Sequence, residues 1–160
     1  MSYKIGLGYD IHRFAAGRKL VLGGVEIPHT QGLDGHSDAD VLTHAICDAL
    51  LGALGKGDIG EHFPNTDKKY KNISSMDLLE KVSELIQGEG YKVSNVDTVI
   101  LAEEPNLKDY KHQMRFHIAY KLAIDESAVN IKATTQEGLG AVGKKEGIAA
   151  LATVLISKQS

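Results

Sequence analysis

An aspartate and two histidines in the first third of the chain could together hold a metal ion. Asp10 and His12 are separated by one residue, so on a β-strand both side chains leave the same face. His44 lies in a second apolar segment with helical spacing. Three nitrogen and oxygen ligands with a fourth position open are typical of a catalytic zinc site, whereas four ligands close a structural site. The same residues also fit unrelated surface or capping positions, and their spacing alone does not decide between the two.

A strand and a helix would have to position these three side chains. Small residues alternate with Ile5 and Leu7, which predicts a strand over residues 4–10 that could continue to residue 14. Two short β-prone runs, 20–22 and 25–27, flank a Gly pair and predict a hairpin.

The segment 37–54 has apolar residues at helical spacing and is predicted to be a helix. Ser37 or Asp38 is expected to cap it, with Asp40 in the first turn. Asp40 and Asp48 lie four residues on either side of His44, on one helix face. That arrangement fits carboxylates supporting a metal ligand. The same spacing also fits an ordinary solvated helix face, and from the spacing alone the solvated face is favoured.

The remaining chain alternates helices with strands. The apolar spacing and breakers predict the following elements: a Gly-rich loop over 54–67, a helix over 75–87 capped by Ser75, an interior strand over 93–101, a helix over 107–122 and a strand over 129–134. The segment 147–157 fits either a helix or a closing strand, and its β-branched residues favour the strand. Such alternation predicts an α/β (α+β) sandwich with one sheet.

The composition restricts the class of protein. At 160 residues the chain is predicted to form one domain, residues 1–160. A net charge of −3 argues against a nucleic-acid-binding surface, which needs a basic excess. The single Cys47 cannot form an internal disulfide, which favours a reducing compartment, and it is expected to be buried and inert. No apolar run is long enough to span a membrane. We therefore expect a soluble cytoplasmic protein with no nucleic-acid or membrane partner.

One glycine pattern suggests dinucleotide binding but fails in context. Gly138, Gly140 and Gly143 match G-x-G-x-x-G after a predicted strand, yet no acidic residue follows Glu146 to hold a ribose. We expect these glycines, like the earlier Gly6 and Gly8, to permit close backbone approach to a ligand phosphate or to another subunit. The preceding run 132–137 carries two hydroxyls and a carboxylate, which could hold a phosphate and its divalent ion.

Eight short motifs occur in the order and at the spacing of one known family. They are GYDIHR at 8–13, GGVEIP at 23–28, HSDAD at 36–40, HA at 44–45, DALLG at 48–52, GDIG at 57–60, FP at 63–64 and KATT at 132–135. From Ile5 to Ile156 the chain resembles the 2-C-methyl-D-erythritol 2,4-cyclodiphosphate synthases of the non-mevalonate isoprenoid pathway. Each motif is weak alone, but eight in order are hard to obtain by chance.

This resemblance implies a fold, an assembly and two metal ions. The expected subunit has a four-stranded sheet packed on helices plus a small hairpin, and three subunits form a homotrimer with active sites at their interfaces. Asp10, His12 and His44 would hold Zn²⁺, and Glu137 would bind a second divalent ion, Mg²⁺ or Mn²⁺.

The resemblance also implies the substrate contacts. His36 would stabilise the transition state and Thr135 would steady the phosphates. The residues implied to contact substrate are Asp10, His12, His36, Ser37, Asp58, Ile59, Gly60, Phe63, Pro64, Asn65, Thr66, Asp67, Ala102, Pro105, Asn106, Leu107, Lys108, Ala133, Thr134, Thr135, Gln136, Glu137, Ala141 and Lys144. Three of these depart from the usual family residue: Asn65 stands for Asp, Asn106 for Lys and Lys144 for Arg.

The implied reaction needs no side-chain nucleophile. The 2-phosphate of 4-diphosphocytidyl-2-C-methyl-D-erythritol 2-phosphate attacks the β-phosphorus of the same molecule, closes an eight-membered ring and expels CMP. The alternative is a non-catalytic trimeric module that binds metal and nucleotide without turnover. Intact Asp10, His12, His44 and Glu137 argue against that alternative, because a module without chemistry has little need of two ion sites.

Overall fold

A mixed five-stranded sheet organises the computed structural model, which describes residues 2–159. The strands are β1 (Tyr3–Ala15), β2 (Leu20–Leu22), β3 (Val25–Ile27), β4 (Gly32–Leu33), β5 (Tyr91–Leu101), β6 (Val129–Thr134) and β7 (Gly147–Lys158). Their order in the sheet is β4-β1-β7-β5-β6, and β2 and β3 form a separate hairpin. Only β5 and β6 pair in parallel. The expected four strands are present, and the two-residue β4 adds a fifth by pairing with the end of β1.

Helices cover one face of this sheet. They are α1 (Val41–Leu54), α2 (Ile59–His62), α3 (Ser75–Gly88), α4 (Lys111–Leu122) and α5 (Gly140–Gly143). Helix α1 packs on β1 and β7, and α3 packs between α1 and α4. The predicted hairpin, the predicted strands and the three long helices are therefore confirmed, with β1 extending to Ala15. No helix within residues 2–159 is both long and apolar enough to cross a bilayer.

Helix α1 is the centre of the hydrophobic core. Leu42, Ile46 and Leu50 on it are fully buried, and so is the free thiol of Cys47, as expected. Burial raises the pKa of the Cys47 thiol well above its usual value, which keeps it protonated and unreactive.

Two predicted helix caps are wrong by one to three residues. Asp40 itself caps α1: its carboxylate accepts hydrogen bonds from the Thr43 amide and from the amides of Gly23 and Gly24 in the hairpin turn. Asp40 is therefore fully buried, and the predicted solvated face is wrong at this position. Ser74, not Ser75, caps α3. Tertiary contacts decided both caps, because the side chains first expected as caps bond elsewhere, and only the start of α1 moved from its predicted position.

The strand β1 presents its apolar side chains away from the helices. Tyr3, Ile5, Leu7, Tyr9 and Ile11 are all exposed, the middle three by 71%, 68% and 53%. On the opposite face of β1, Gly6 and Gly8 lie against the backbone of α1. The predicted close backbone approach is thus confirmed at these two glycines, but the partner is a helix of the same chain, not a phosphate or another subunit.

Candidate metal centre

Three potential ligand atoms meet where β1 passes α1. Asp10 Oδ2 lies 2.9 Å from His12 Nε2 and 3.1 Å from His44 Nδ1, and the two histidine nitrogens are 3.3 Å apart. Among residues 2–159 this is the one group of three or more ligating side chains that could surround an ion. The strand places Asp10 and His12 on the same face, as predicted, and the helix brings His44 to them.

These distances fit a tetrahedral ion. Zinc binds nitrogen and oxygen at about 2.0–2.1 Å, so ligand atoms on a regular tetrahedron are about 3.3 Å apart. The observed separations of 2.9–3.3 Å lie close to that value. Two imidazoles and one carboxylate leave a fourth position for a substrate oxygen, and the set suits Zn²⁺.

A backbone contact on the side of the ring away from the cluster fixes the orientation of His12. Its Nδ1 contacts the backbone carbonyl of Asp34, so Nδ1 carries the proton and Nε2 presents its lone pair to the cluster. The Asp34 amide in turn donates to the Arg13 carbonyl at 2.9 Å, next to the β1–β4 pairing. The short strand β4 therefore supports the metal centre indirectly by anchoring Asp34.

The ring of His44 is oriented by two serines and a carboxylate. Its Nε2 lies 2.9 Å from Ser75 Oγ and 3.1 Å from Ser37 Oγ. The Ser75 hydroxyl donates to Asp38 Oδ1, and the Ser75 amide donates to Asp38 Oδ2 at 3.0 Å. This chain keeps the His44 proton on Nε2 and leaves Nδ1 as the ligand atom. It explains why neither Asp38 nor Ser75 is a helix cap.

The charges of the cluster are coupled. Burial alone would raise the pKa of Asp10, but hydrogen bonds from His12 and His44 outweigh it and lower that pKa to about 2. Burial lowers the pKa of His12, while its hydrogen bond and charge interaction with Asp10 act more strongly and raise it. Protons and a cation therefore compete for the same three side chains, and metal binding would release protons.

A cavity of about 230 Å³ opens onto the metal centre. Its lining includes the predicted residues Asp10, His12, His36, Ser37, His44, Ile59, Gly60, Phe63 and Asn65. The Nε2 of His36 is buried there and has no hydrogen-bond partner within residues 2–159. A buried imidazole nitrogen without a partner is costly, which points to a ligand atom as its missing acceptor.

A second cavity of about 240 Å³ lies at the ends of β5 and β6. It is lined by Ala102, Glu103, Pro105, Asn106, Leu107, Ala133, Thr134 and Thr135. Thr135 and Glu137 follow β6, and their side chains lie 3.4 Å apart in an exposed turn. Glu137 is not part of the Asp10 cluster in one subunit. Many of the predicted site residues thus line one of two cavities, and these two cavities share no lining residue.

Other predicted contact residues have structural partners of their own. Asp58 caps α2, Asp67 caps the short 3₁₀ turn Lys68–Tyr70, and the Asn106 side chain accepts from the Lys108 amide at 2.9 Å. Ala141 lines a third cavity of about 520 Å³ beside Ile11. Pro64, Thr66 and Lys144 line none of these three cavities, and their roles stay predictions.

Sequence reasoning missed residues that build the cavity walls. Tyr70, Ile73 and Leu78 close the metal-side cavity with apolar surface. In the second cavity, Glu103 accepts a hydrogen bond of 2.6 Å from the Gln136 amide and so holds the turn that carries Thr135. For the first cavity, the one signal in the sequence was the aromatic Tyr70 in a polar loop. For the second, the contact between Glu103 and Gln136 spans 33 residues and leaves no local pattern.

Comparisons with known proteins place the chain in a family. The model of the YgbB family matches residues 3–157. A 2-C-methyl-D-erythritol 2,4-cyclodiphosphate synthase of Syntrophomonas wolfei is 57% identical over 155 residues, covering 97% of this chain and 99% of the relative. The synthase of Clostridium kluyveri is 58% identical over 153 residues, covering 96% and 93%.

Solved structures show the same fold. The bifunctional IspDF of Campylobacter jejuni superposes with a TM-score of 0.94 at 46% identity, covering 98% of this chain and 42% of that longer chain. A CDP complex of IspF from Plasmodium falciparum superposes with a TM-score of 0.88 at 34% identity, covering 99% and 98%.

Proposed function

Because the chain belongs to the YgbB family, we propose that it is a metal-dependent enzyme which cyclises 4-diphosphocytidyl-2-C-methyl-D-erythritol 2-phosphate. The products are 2-C-methyl-D-erythritol 2,4-cyclodiphosphate and CMP, which makes it a phosphorus–oxygen lyase of isoprenoid precursor synthesis. The observation that carries the proposal is the convergence of Asp10, His12 and His44 within 3.3 Å, in a cavity that His36 also lines. The cytoplasm is the proposed location, since Cys47 is a free thiol.

The reaction is an intramolecular phosphoryl transfer. One oxygen of the 2-phosphate forms a bond to the β-phosphorus, the bond from that phosphorus to the α–β bridging oxygen breaks, and its electron pair leaves with CMP. Both reacting groups are anions, so positioning and charge neutralisation dominate the barrier. When bound, Zn²⁺ at Asp10, His12 and His44 and Mg²⁺ or Mn²⁺ at Glu137 would neutralise phosphate charge.

The protein's own groups then orient the reactants and exclude water. His36 lines the cavity, and its buried Nε2, which has no hydrogen-bond partner within residues 2–159, is the group proposed to donate to a phosphate oxygen. Thr135 would hold the diphosphate from the nucleotide side, with cytidine in the cavity of Pro105 and Thr134. The apolar walls formed by Phe63 and Ile73 limit water at the reacting phosphorus, where hydrolysis would release CMP without closing the ring.

We propose that the chain forms a homotrimer, and the bare sheet face and the divided site support an assembly of subunits. Ile5 and Leu7 are 71% and 68% exposed on a continuous apolar strand face, which is unusual for a monomer. Register places Ile11, Ala149, Leu101 and Thr134 in one row, so the metal-side and nucleotide-side strands are about 14 Å apart across three strand spacings. A substrate that contacts both groups of residues would therefore bind between two neighbouring subunits, with one group from each subunit.

The assembly can be tested with two variants, one that introduces an aspartate at the proposed interface and one that introduces it on a different surface. We expect the native protein to sediment as three chains and Leu7→Asp to dissociate it and abolish turnover, because the carboxylate would be buried in the interface. Tyr120→Asp is the control, since Tyr120 is 74% exposed on α4, on the opposite side of the sheet from β1's apolar face. A Leu7→Asp protein that still sediments as three chains would refute this interface.

The second ion is tested at Glu137. Glu137→Gln removes the charge but keeps the shape, so the concentration of Mg²⁺ or Mn²⁺ needed for half-maximal turnover is expected to rise about 10-fold or more. Zinc content should stay unchanged, because Glu137 lies outside the Asp10 cluster. Glu89→Gln, at an exposed glutamate that pairs with Lys56, serves as the control. An unchanged metal response would place the second ion elsewhere.

Phosphorus NMR of the purified protein with the cytidylylated substrate tests the function itself. The cyclic diphosphate and CMP should form together, and chelator should stop both. Metal-replete protein that binds CDP yet never releases CMP from the substrate would instead support the non-catalytic binding module.

A further inference from the structure

The segment 34–37 carries two proposed substrate-contacting side chains but belongs to no helix or long strand. It links β4 to α1 and presents His36 to the metal-side cavity. Its backbone carbonyls need donors from elsewhere. The His36 carbonyl accepts from the Asn72 amide at 2.9 Å. The carbonyls on either side of it, those of Gly35 and Ser37, are both bonded by one side chain, Arg18.

Arg18 reaches this segment from the turn after β1. Its Nη1 donates to the Gly35 carbonyl and its Nη2 to the Ser37 carbonyl, both at 2.6 Å. Bonds from a charged donor are short and about twice as strong as neutral ones. The Arg18 side chain is only 28% exposed, and Asp34 Oδ1 lies 3.9 Å from Nη1. The guanidinium is thus held in one orientation against the segment.

We infer that Arg18 is a positioning residue for His36. The two bonds fix the Gly35–His36 and Ser37–Asp38 peptide groups, and the Asn72 amide holds the His36–Ser37 peptide group between them. The direction of the imidazole follows from the backbone that these bonds hold. This inference rests on the proposed function, in which His36 Nε2 contacts a phosphate. A lysine could not replace the fork, because one ammonium cannot reproduce the fixed spacing of two guanidinium nitrogens.

The metal ligands keep their main supports without the two Arg18 bonds. Asp34, whose carbonyl orients His12, is secured by its own amide bond to the Arg13 carbonyl. Arg18 holds the backbone of Ser37, whose Oγ lies 3.1 Å from His44 Nε2. The second hydroxyl on that nitrogen, Ser75 Oγ at 2.9 Å, is held by Asp38 without Arg18. Loss of Arg18 should therefore release His36 while zinc stays bound.

The test compares Arg18→Ala and Arg18→Lys with Lys19→Ala. Lys19 is the neighbouring cation and is 75% exposed, so its variant is the control. We expect kcat of Arg18→Ala to fall about 100-fold, the cost of a misplacement of about 1 Å, with zinc content unchanged. Arg18→Lys should be impaired as well, and Lys19→Ala should match the native protein. Millimolar methylguanidinium, far below denaturing concentrations, should restore at least a tenth of the lost kcat in Arg18→Ala alone.

Imidazole NMR gives a readout independent of turnover. The His36 ring resonances should broaden or shift in Arg18→Ala, while those of His44, which Ser75 still holds, should move less. Native kcat in Arg18→Ala, unmoved His36 resonances, or a loss that methylguanidinium does not relieve would overturn the inference. If the alanine variant fails to fold, Arg18→Lys carries the same NMR and kcat test. Native protein that forms no cyclic product would refute the proposed function instead. The ring resonances would still report whether the two Arg18 hydrogen bonds position His36.

Discussion

His44→Ala is expected to abolish cyclisation and zinc binding while leaving the chain folded. The imidazole supplies one of three ligand atoms, and its removal leaves only Asp10 and His12. Loss of an outer-shell partner costs 10–100-fold in affinity or activity. Loss of a ligand should cost more, so we expect less than about one-hundredth of native turnover. Zinc per chain by atomic absorption and CMP release by phosphorus NMR measure the two effects together.

A second histidine provides the control for this experiment. His112→Ala removes an imidazole that is 75% exposed on α4 and lies 3.7 Å from Glu126, far in sequence from the cluster. It should keep native zinc content and turnover. Circular dichroism and sedimentation of His44→Ala should match the native protein. A His44→Ala enzyme with full activity would remove the zinc assignment altogether.

Gly8→Ala is expected to destabilise the protein and to disrupt the metal centre at the same time. A Cβ at this position would lie 1.9 Å from the Ala45 carbonyl oxygen and 2.8 Å from the Ala49 amide nitrogen. Both are backbone atoms of α1, so the helix itself must move away from β1. Overpacking of a close-packed core costs about 1–3 kcal/mol and occasionally more, and we expect the upper end here, because no flexible side chain can yield.

The same displacement separates His44 on α1 from Asp10 and His12 on β1. Zinc affinity, measured by competition with a chelating dye, should therefore fall together with the free energy of unfolding from urea titration at fixed protein concentration. Gly52→Ala is a matched control within α1. Its added Cβ would have only the Leu7 carbonyl oxygen nearby, at 3.9 Å, so it should stabilise the helix by up to about 1 kcal/mol. Native stability and zinc affinity in Gly8→Ala would contradict this account.

Local patterns in the sequence predicted most elements of the fold. The period-2 alternation in β1 and the helical spacing over 37–54 depend on neighbours a few residues apart, and both were confirmed. The prediction that Asp10 and His12 share a strand face followed from the alternation of side chains along a pleated strand. The family resemblance rested on motifs quoted residue by residue, and the family match over residues 3–157 confirmed it.

Boundaries were less predictable because long-range partners set them. Helix α1 begins at Val41 because the Asp40 carboxylate is drawn to the amides of Gly23 and Gly24 in the hairpin turn. Asp38 was a reasonable cap by residue type, but it bonds Ser75, 37 residues away. No local rule contains either contact.

By itself, the sequence determined which side chains share a face, but not what covers that face. Ile5, Leu7 and Tyr9 share one face of β1 and are exposed within the chain, whereas the glycines between them face the helix. Only the tertiary structure brought His44 to Asp10 across 34 residues and left His36 Nε2 with no hydrogen-bond partner among the described residues 2–159. The physical reason is that periodicity is a property of neighbouring residues, whereas the distance between a strand and a helix depends on how their backbones pack, here at Gly6 and Gly8.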